Sequence, residues 1–360
     1  MISPRIRDLT DAIQPLFNDQ AAQALNDFWA SIPTLPGGFG RLEDFAKHVA
    51  MVRNETLPAS SRLGLYLICA EHAIAAEPVG AEGPAGTRRD LANFLRGASP
   101  SSILAREFGI ERLAVDCGLV GEAEQGTHVY RVCEGALNFV VGAALTEEQL
   151  NNALEIGASL ADDAARRFDF VAIAQLGSGA SVAASAVLGA LTGGPAVETT
   201  YLDDILDQDS IPLRRHAVNQ GATRHQLDAI SPLAAVRCFG GVDLAVMAGF
   251  LLAAAAARLP VFADGFCGAV AALVARSVAP DTLDAVLFPG CSSDPAWLAA
   301  LETLGVNPLL QFEATEGAGF HTVLALHLVS NILDVARLLA PAPSVAEADI
   351  GAADPSPAAS

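Results

Sequence analysis

A chain of 360 residues, 52% of them hydrophobic, has the apolar mass for one large domain with an appendage or for two domains, and excludes general disorder. Its formal net charge of −20, with 21 Lys and Arg against 41 Asp and Glu, argues against nucleic acid and against anionic membrane surfaces as partners. Backbone N–H groups and one or two local cations could still hold a phosphorylated small molecule. The six cysteines, Cys69, Cys117, Cys133, Cys238, Cys267 and Cys291, show no CxxC or zinc-type spacing, so reduced, mostly buried thiols in a cytoplasmic protein are expected. Residues 1–19 carry charges and no apolar h-region, so no signal peptide is expected. The longest apolar run, Leu244 to Phe262, is broken by Arg258 and Pro260. It reads as a buried helix leading into a strand rather than a membrane span.

In chain order, Ile6 to Ile32 has an amphipathic helical pattern that Pro33-Thr34-Leu35-Pro36-Gly37-Gly38 breaks. Arg41-Leu42-Glu43-Asp44 restarts a helix with acidic residues in its first turn. Leu63 to Cys69 is a short apolar run of the kind that forms a buried strand, and it ends in Glu71-His72. Helices are predicted from Asp90 to Arg96 and, with Ser99 as cap and Pro100 at the first position, on to Phe108. Glu111 to Asp116 gives a second strand. Thr146 caps a long helix running to Arg167, and Asp169 to Ala174 gives a third strand. That strand passes straight into Gly177-Ser178-Gly179-Ala180-Ser181 and an Ala-rich helix. Further strands are predicted at Leu259 to Ala263 and Leu283 to Phe288. The alternation implies an α/β fold: a parallel sheet joined by right-handed crossovers, with helices on both faces. Residues 1–55 and 320–340 lack strands and are expected to form a small helical domain from both termini. Residues 56–319 would then form the large α/β domain, and 341–360, rich in Ala, Pro, Asp and Ser, a disordered tail.

Open parallel sheets place ligands beyond the carboxyl ends of their strands, so candidate chemistry is sought there. Gly177-Ser178-Gly179 lies at a strand-to-helix turn suited to phosphate, but it is not GxGxxG and lacks a P-loop Lys. Neither dinucleotide nor nucleoside triphosphate is indicated, although a purely structural glycine turn would look the same. Glu71-His72 and Asp264-Gly265-Phe266 end two other strands at the same edge, with a loop pair and a turn as the alternatives. Asp203-Asp204 has no third ligand to complete a metal site. Arg214-Arg215-His216 is a cationic spot in an acidic chain, either a surface patch or a partner for phosphate. Gln311 to His321 carries Glu313 and Glu316, with Gly317 and Gly319, into an amphipathic segment, Thr322 to Leu339. Spacing alone reads this as an acidic helix entry.

Taken together and in this order, several stretches resemble the nicotinate-nucleotide:dimethylbenzimidazole phosphoribosyltransferases of cobalamin lower-ligand assembly. They are Pro36-Gly37-Gly38-Phe39-Gly40-Arg41-Leu42-Glu43-Asp44, Glu71-His72, Ala92-Asn93-Phe94-Leu95 and Leu145-Thr146-Glu147-Glu148-Gln149. The series continues with Gly177-Ser178-Gly179, Leu202-Asp203-Asp204, Gly240-Gly241-Val242-Asp243, Asp264-Gly265-Phe266 and Glu316-Gly317-Ala318-Gly319. The resemblance implies a Rossmann-like large domain, a small helical domain, a homodimer and no cofactor or metal. It also implies transfer of the phosphoribosyl group of nicotinate mononucleotide to a benzimidazole-type base. The family's base is the Glu of its Glu-Gly-x-Gly loop, which falls on Glu316, and a carboxylate there suits removal of the acceptor N–H proton. Substrate contacts are implied for Gln175, Gly177, Ser178, Gly179, Ser181, Glu71, His72 and Asp264, with Arg215 as a cationic helper for the 5′-phosphate.

The sequence departs from the family where the usual Gly-Glu-Met-Gly-Ile-Gly-Asn-Thr-Thr is Ala174-Gln175-Leu176-Gly177-Ser178-Gly179-Ala180-Ser181-Val182. The usual Asp-His-Gly is Glu71-His72-Ala73, and the Gly-rich run before Leu-Asp-Asp is Glu198-Thr199-Thr200-Tyr201. The His-Arg pair expected near Pro289 to Asp294 is absent. The alternative is a non-catalytic paralogue that binds a nucleotide or aromatic base on the same fold.

Overall fold

A computed structural model describes residues 2–17, 19–35, 37–204, 207–225, 231–311, 314 and 317–340. Glu316 and the tail 341–360 lie outside the described residues. Among the described residues, six strands form one sheet: β1 (Leu63–Ala70), β2 (Glu111–Gly118), β3 (His128–Val129), β4 (Phe170–Leu176), β5 (Val261–Ala263) and β6 (Val286–Leu287). Their order is β3-β2-β1-β4-β5-β6, and every pairing is parallel. This is the expected α/β class.

The period of two along each strand divides the interior into two cores. Tyr66, Ile68, Val171, Ile173 and Val261 face one side, with helices Glu147–Arg167, Val242–Ala256 and Gly265–Val278. Leu65, Leu67, Phe170, Ala172 and Phe262 face the other, where helices from both ends of the chain, Asp19–Ser31, Arg41–Arg53 and Phe320–Leu339, share one apolar cluster. Phe320–Leu339 is long and apolar enough to cross a membrane by composition alone, but Val323, Leu326, Val329 and Leu333 are buried in this cluster.

The expected caps form. Thr146 Oγ1 accepts from Gln149 N at 3.1 Å while Gln149 Oε1 accepts from Thr146 N at 2.9 Å, a reciprocal capping box. Ser99 Oγ accepts from Ser102 N at 3.2 Å, with Pro100 at the first helical position. Several boundaries differ from expectation; the helix expected from Asp90 begins at Pro84 and the strand expected from Leu259 begins at Val261. The Ile6 to Ile32 pattern is two helices, Pro4–Ala12 and Asp19–Ser31, because Pro15 lacks an N–H and disfavours helix at Gln14. The strand expected from Leu283 is shortened by a 3₁₀ segment, Pro280–Ala285, which leaves only Val286–Leu287 to pair. The edge strand β3, both residues exposed, was not expected.

Helices Glu147–Arg167 and Val242–Ala256 touch backbone to backbone. A Cβ on Gly157 would stand 2.0 Å from Val246 O, and one on Gly249 would stand 2.2 Å from Leu154 O. Only glycine admits this approach. Gly157→Val should therefore separate the two helices and destabilise the protein by about 3 kcal/mol, read as a lower urea midpoint at unchanged slope.

Candidate active site

The carboxyl ends of β1, β4 and β5 converge on one edge, and the groups there hold one another through buried carboxylates. Gly177 lies directly against the end of β1, since a Cβ would stand 1.7 Å from Ala70 O. The next amide, Ser178 N–H, is shared by Glu71 Oε2 at 3.2 Å and Thr87 Oγ1 at 3.0 Å, while Ser178 Oγ accepts from Gly83 N at 2.8 Å. The amide expected to meet a phosphate is thus turned toward a carboxylate. The helix that follows, Ala180–Thr192, has no side-chain cap on its first amides.

Glu71 is buried, and burial raises its pKa above the ordinary value of 4.5, opposed by Thr87, the Ser178 amide and His72. Beside it, Asp243 Oδ2 accepts from Gln175 Nε2 at 2.9 Å and lies 3.0 Å from His72 Nε2, which must be the donor because a carboxylate only accepts. Asp243 opens the Val242–Ala256 helix and was not expected as a site residue. Its only sequence signal was the Gly240-Gly241-Val242-Asp243 stretch at a helix start. The arrangement explains the Gln at 175: an ionised Glu would set two carboxylates against each other, whereas the amide donates.

Asp264 follows β5 and ties it to the start of the last helix. Its Oδ2 accepts from Gly319 N at 2.8 Å, and its Oδ1 accepts from the Thr322 hydroxyl. Gly319 supplies no side-chain cap of its own, so Asp264 caps the Phe320–Leu339 helix from a neighbouring element. Burial raises the Asp264 pKa, opposed by the Thr322 hydroxyl and the Gly319 amide. On the opposite wall, Ser181 Oγ donates to Asp204 Oδ2 at 2.5 Å, and Asp204 Oδ1 pairs with Arg214 Nη1 at 2.5 Å. Arg214 is fully buried and also donates to Val79 O at 2.7 Å and Tyr201 O at 2.9 Å. Arg215, the cation singled out from the sequence, is half-buried, its Nε has no partner among the described residues, and it does not line the cavities of this edge.

Three adjoining cavities run along the edge. One, of about 210 Å³, lies over Gly83, Thr87 and Gly177 to Gly179. A second, of about 300 Å³, is lined by Asn93, Ser99, Ser101 and Leu176. A third, of about 200 Å³, is bounded by Gln175, Ser181, Tyr201, Asp264, Trp297 and His321. Gly317 and Ala318 line both the second and the third, so these two residues border two compartments. A larger cavity of about 360 Å³ opens away from this edge, around Leu150 and Pro232. Among the described residues, no group of three His, Cys, Asp or Glu side chains is placed to hold a metal ion.

Two outcomes test this geometry. Glu71 has a raised folded-state pKa, so its contribution to stability is present below the unfolded value near 4.5 and is lost as pH rises through the folded value. Glu71→Gln should therefore gain stability relative to the unaltered protein between pH 4 and pH 7, measured by urea unfolding across that range. Asp264→Ala removes two hydrogen bonds and a cap, and should cost about 2–3 kcal/mol in the same measurement.

Comparison with known proteins places these residues in context. A family model described as "Phosphoribosyltransferase" matches residues 14–349. The chain is 32% identical over 326 residues to the nicotinate-nucleotide–dimethylbenzimidazole phosphoribosyltransferase of Desulforamulus reducens, covering 89% of this chain and 92% of the relative. The enzyme of that name from Cupriavidus necator is 30% identical over 332 residues, covering 91% and 93%. Among solved structures, the crystal structure of CobT from Thermus thermophilus superposes with a TM-score of 0.81 at 28% identity, covering 88% of this chain and 95% of that one.

Proposed function

The chain belongs to the nicotinate-nucleotide–dimethylbenzimidazole phosphoribosyltransferase family, and on that premise we propose that it moves the phosphoribosyl group of nicotinate mononucleotide to dimethylbenzimidazole or a related base, releasing nicotinate and α-ribazole phosphate. The observation that carries this reading is the groove of adjoining cavities at the sheet edge, with Gly317 and Ala318 bordering two of them. The bond from C1′ to the pyridinium nitrogen breaks with its electrons passing to nicotinate, a neutralised and therefore ready leaving group. A benzimidazole nitrogen forms the new bond to C1′, and the proton of the other ring nitrogen passes to the Glu316 carboxylate. The uncapped amides at the start of Ala180–Thr192 offer a place for the 5′-phosphate next to Gly179 and Ser181. Glu71, His72, Gln175 and Asp264 hold the walls of the groove in place through buried hydrogen bonds.

The protein acts as a homodimer in the cytoplasm on this reading. Exposed Leu137 and Val141 and the six free cysteines support it. Purified protein given nicotinate mononucleotide and dimethylbenzimidazole should release nicotinate. Glu316→Gln should lower kcat by about 100-fold or more with donor affinity nearly unchanged, because a base acts on the chemical step. Release no faster than that of the Gln variant would overturn the assignment.

A further inference from the structure

The cavity around Leu150 and Pro232 lies away from the groove, and the reaction outlined above makes no use of it. It holds about 360 Å³, within the range of about 300–1,000 Å³ typical of small-molecule sites. Three helices meet around it. Glu147–Arg167 contributes Leu150, Pro232–Phe239 contributes Pro232 and Leu233, and Gly265–Val278 contributes Val278 at its last residue, so much of the wall is apolar. The third helix begins beside Asp264. At 1.5 Å per residue its 14 residues place Val278 about 20 Å from that end of the groove.

The polar groups of this wall are unevenly engaged. Asn151 Oδ1 accepts from Ser3 N at 2.9 Å, and its Nδ2 donates to Glu147 O at 2.8 Å. Ser231 Oγ accepts from Ala234 N at 3.3 Å and so caps its own helix. Arg237 differs. Its guanidinium carries five N–H donors, yet among the described residues the side chain reaches only Cys238 Sγ, a weak acceptor, from Nη2 at 3.8 Å. No described carboxylate forms an ion pair with it, Glu147 on the same wall included. Arginines with a structural part in this fold behave otherwise: Arg258, also partly buried, donates to the carbonyls of Val52, Met51 and Leu16.

A partly buried guanidinium with unused donors calls for an anion, and a planar carboxylate matches its fork with two parallel bonds. The apolar wall calls for a hydrocarbon body behind that head group. Glu147 on the wall and the formal net charge of −20 disfavour a multiply charged occupant such as a phosphate monoester. We propose that this cavity is a binding site, separate from the groove, for a small apolar monocarboxylate whose head group pairs with Arg237 and whose body lies against Leu150, Leu233 and Val278. The proposal does not rest on the phosphoribosyl-transfer reading.

Octanoate is a suitable probe, titrated below its micelle concentration into the full-length protein and followed by calorimetry. It should bind saturably, and no saturable binding would overturn the proposal outright. 1-Octanol, with the same body and no charge, should bind about tenfold more weakly, as expected for loss of a charge-assisted pair. Octylammonium should bind more weakly again. Acetate, the head group alone, should give no saturable heat at concentrations that saturate octanoate. Arg237→Gln should lower octanoate to the affinity of octanol, while Ala234→Phe, which fills the cavity, should abolish binding of both. Octanol, octylammonium or acetate binding as tightly as octanoate would overturn the proposal whether or not the variants fold. So would either variant, shown by circular dichroism to be folded, with octanoate affinity unchanged. Failure of the transfer reading looks different: no nicotinate is released with any base, while octanoate binding and its Arg237 dependence remain.

Discussion

The edge of this molecule depends on buried carboxylates that must find donors or else be neutralised. Asp264 shows the constraint most clearly. Taken from water, its charge is tolerable only while Gly319 N–H and the Thr322 hydroxyl point at it, and those donors exist only if the last helix begins where it does. The end of β5 and the start of Phe320–Leu339 are thus locked together by a group that belongs to neither element. Asp243 plays the same part for His72 and Gln175, and Glu71 for the glycine turn. Each carboxylate joins two segments distant in sequence, so the groove walls are set before a substrate arrives, as preorganised polar sites require.

Much of this was legible in the residues themselves, and the failures have physical causes. Leu63 to Cys69 reads as a strand because an apolar run of that length, bounded by turn residues, has few other uses. Thr146 and Ser99 read as caps because their side chains serve the next turn and need no distant partner. The edge strand β3 was invisible, for two exposed residues carry neither alternation nor apolar character. The site divides in the same way. The glycine turn announces itself through its composition, but the pairing of His72 with Asp243 spans 171 residues and leaves no local mark. His321 was legible only as part of a helix entry. Its surroundings, the missing side chain of Gly290 and the ring of Trp297, are brought to it only by the folded chain.

The departures from the family pattern also become easier to read. Gln175 is not simply a lost charge, because it faces Asp243 and supplies a donor where a second ionised carboxylate would repel. Tyr201 is not simply added bulk, because it stacks on Phe266 and its carbonyl accepts from Arg214. The altered residues form a consistent set: the wall on the Asp204 side has become aromatic, while Arg214, the cation beside it, is internally satisfied.

The shared cluster of the two chain ends has a consequence for how the protein is made. Leu65, Leu67 and Phe170 are covered by a helix that ends at Leu339, and Ser330 Oγ reaches back to Ser60 O across 270 residues. A ribosome that has extruded the first five strands has therefore produced a sheet whose apolar face still lacks the cover of its last helix. The nascent chain must keep that face from its neighbours until nearly the last residues emerge. Such long-range closure slows folding and lengthens exposure to aggregation, which makes this chain a natural client for chaperones during synthesis.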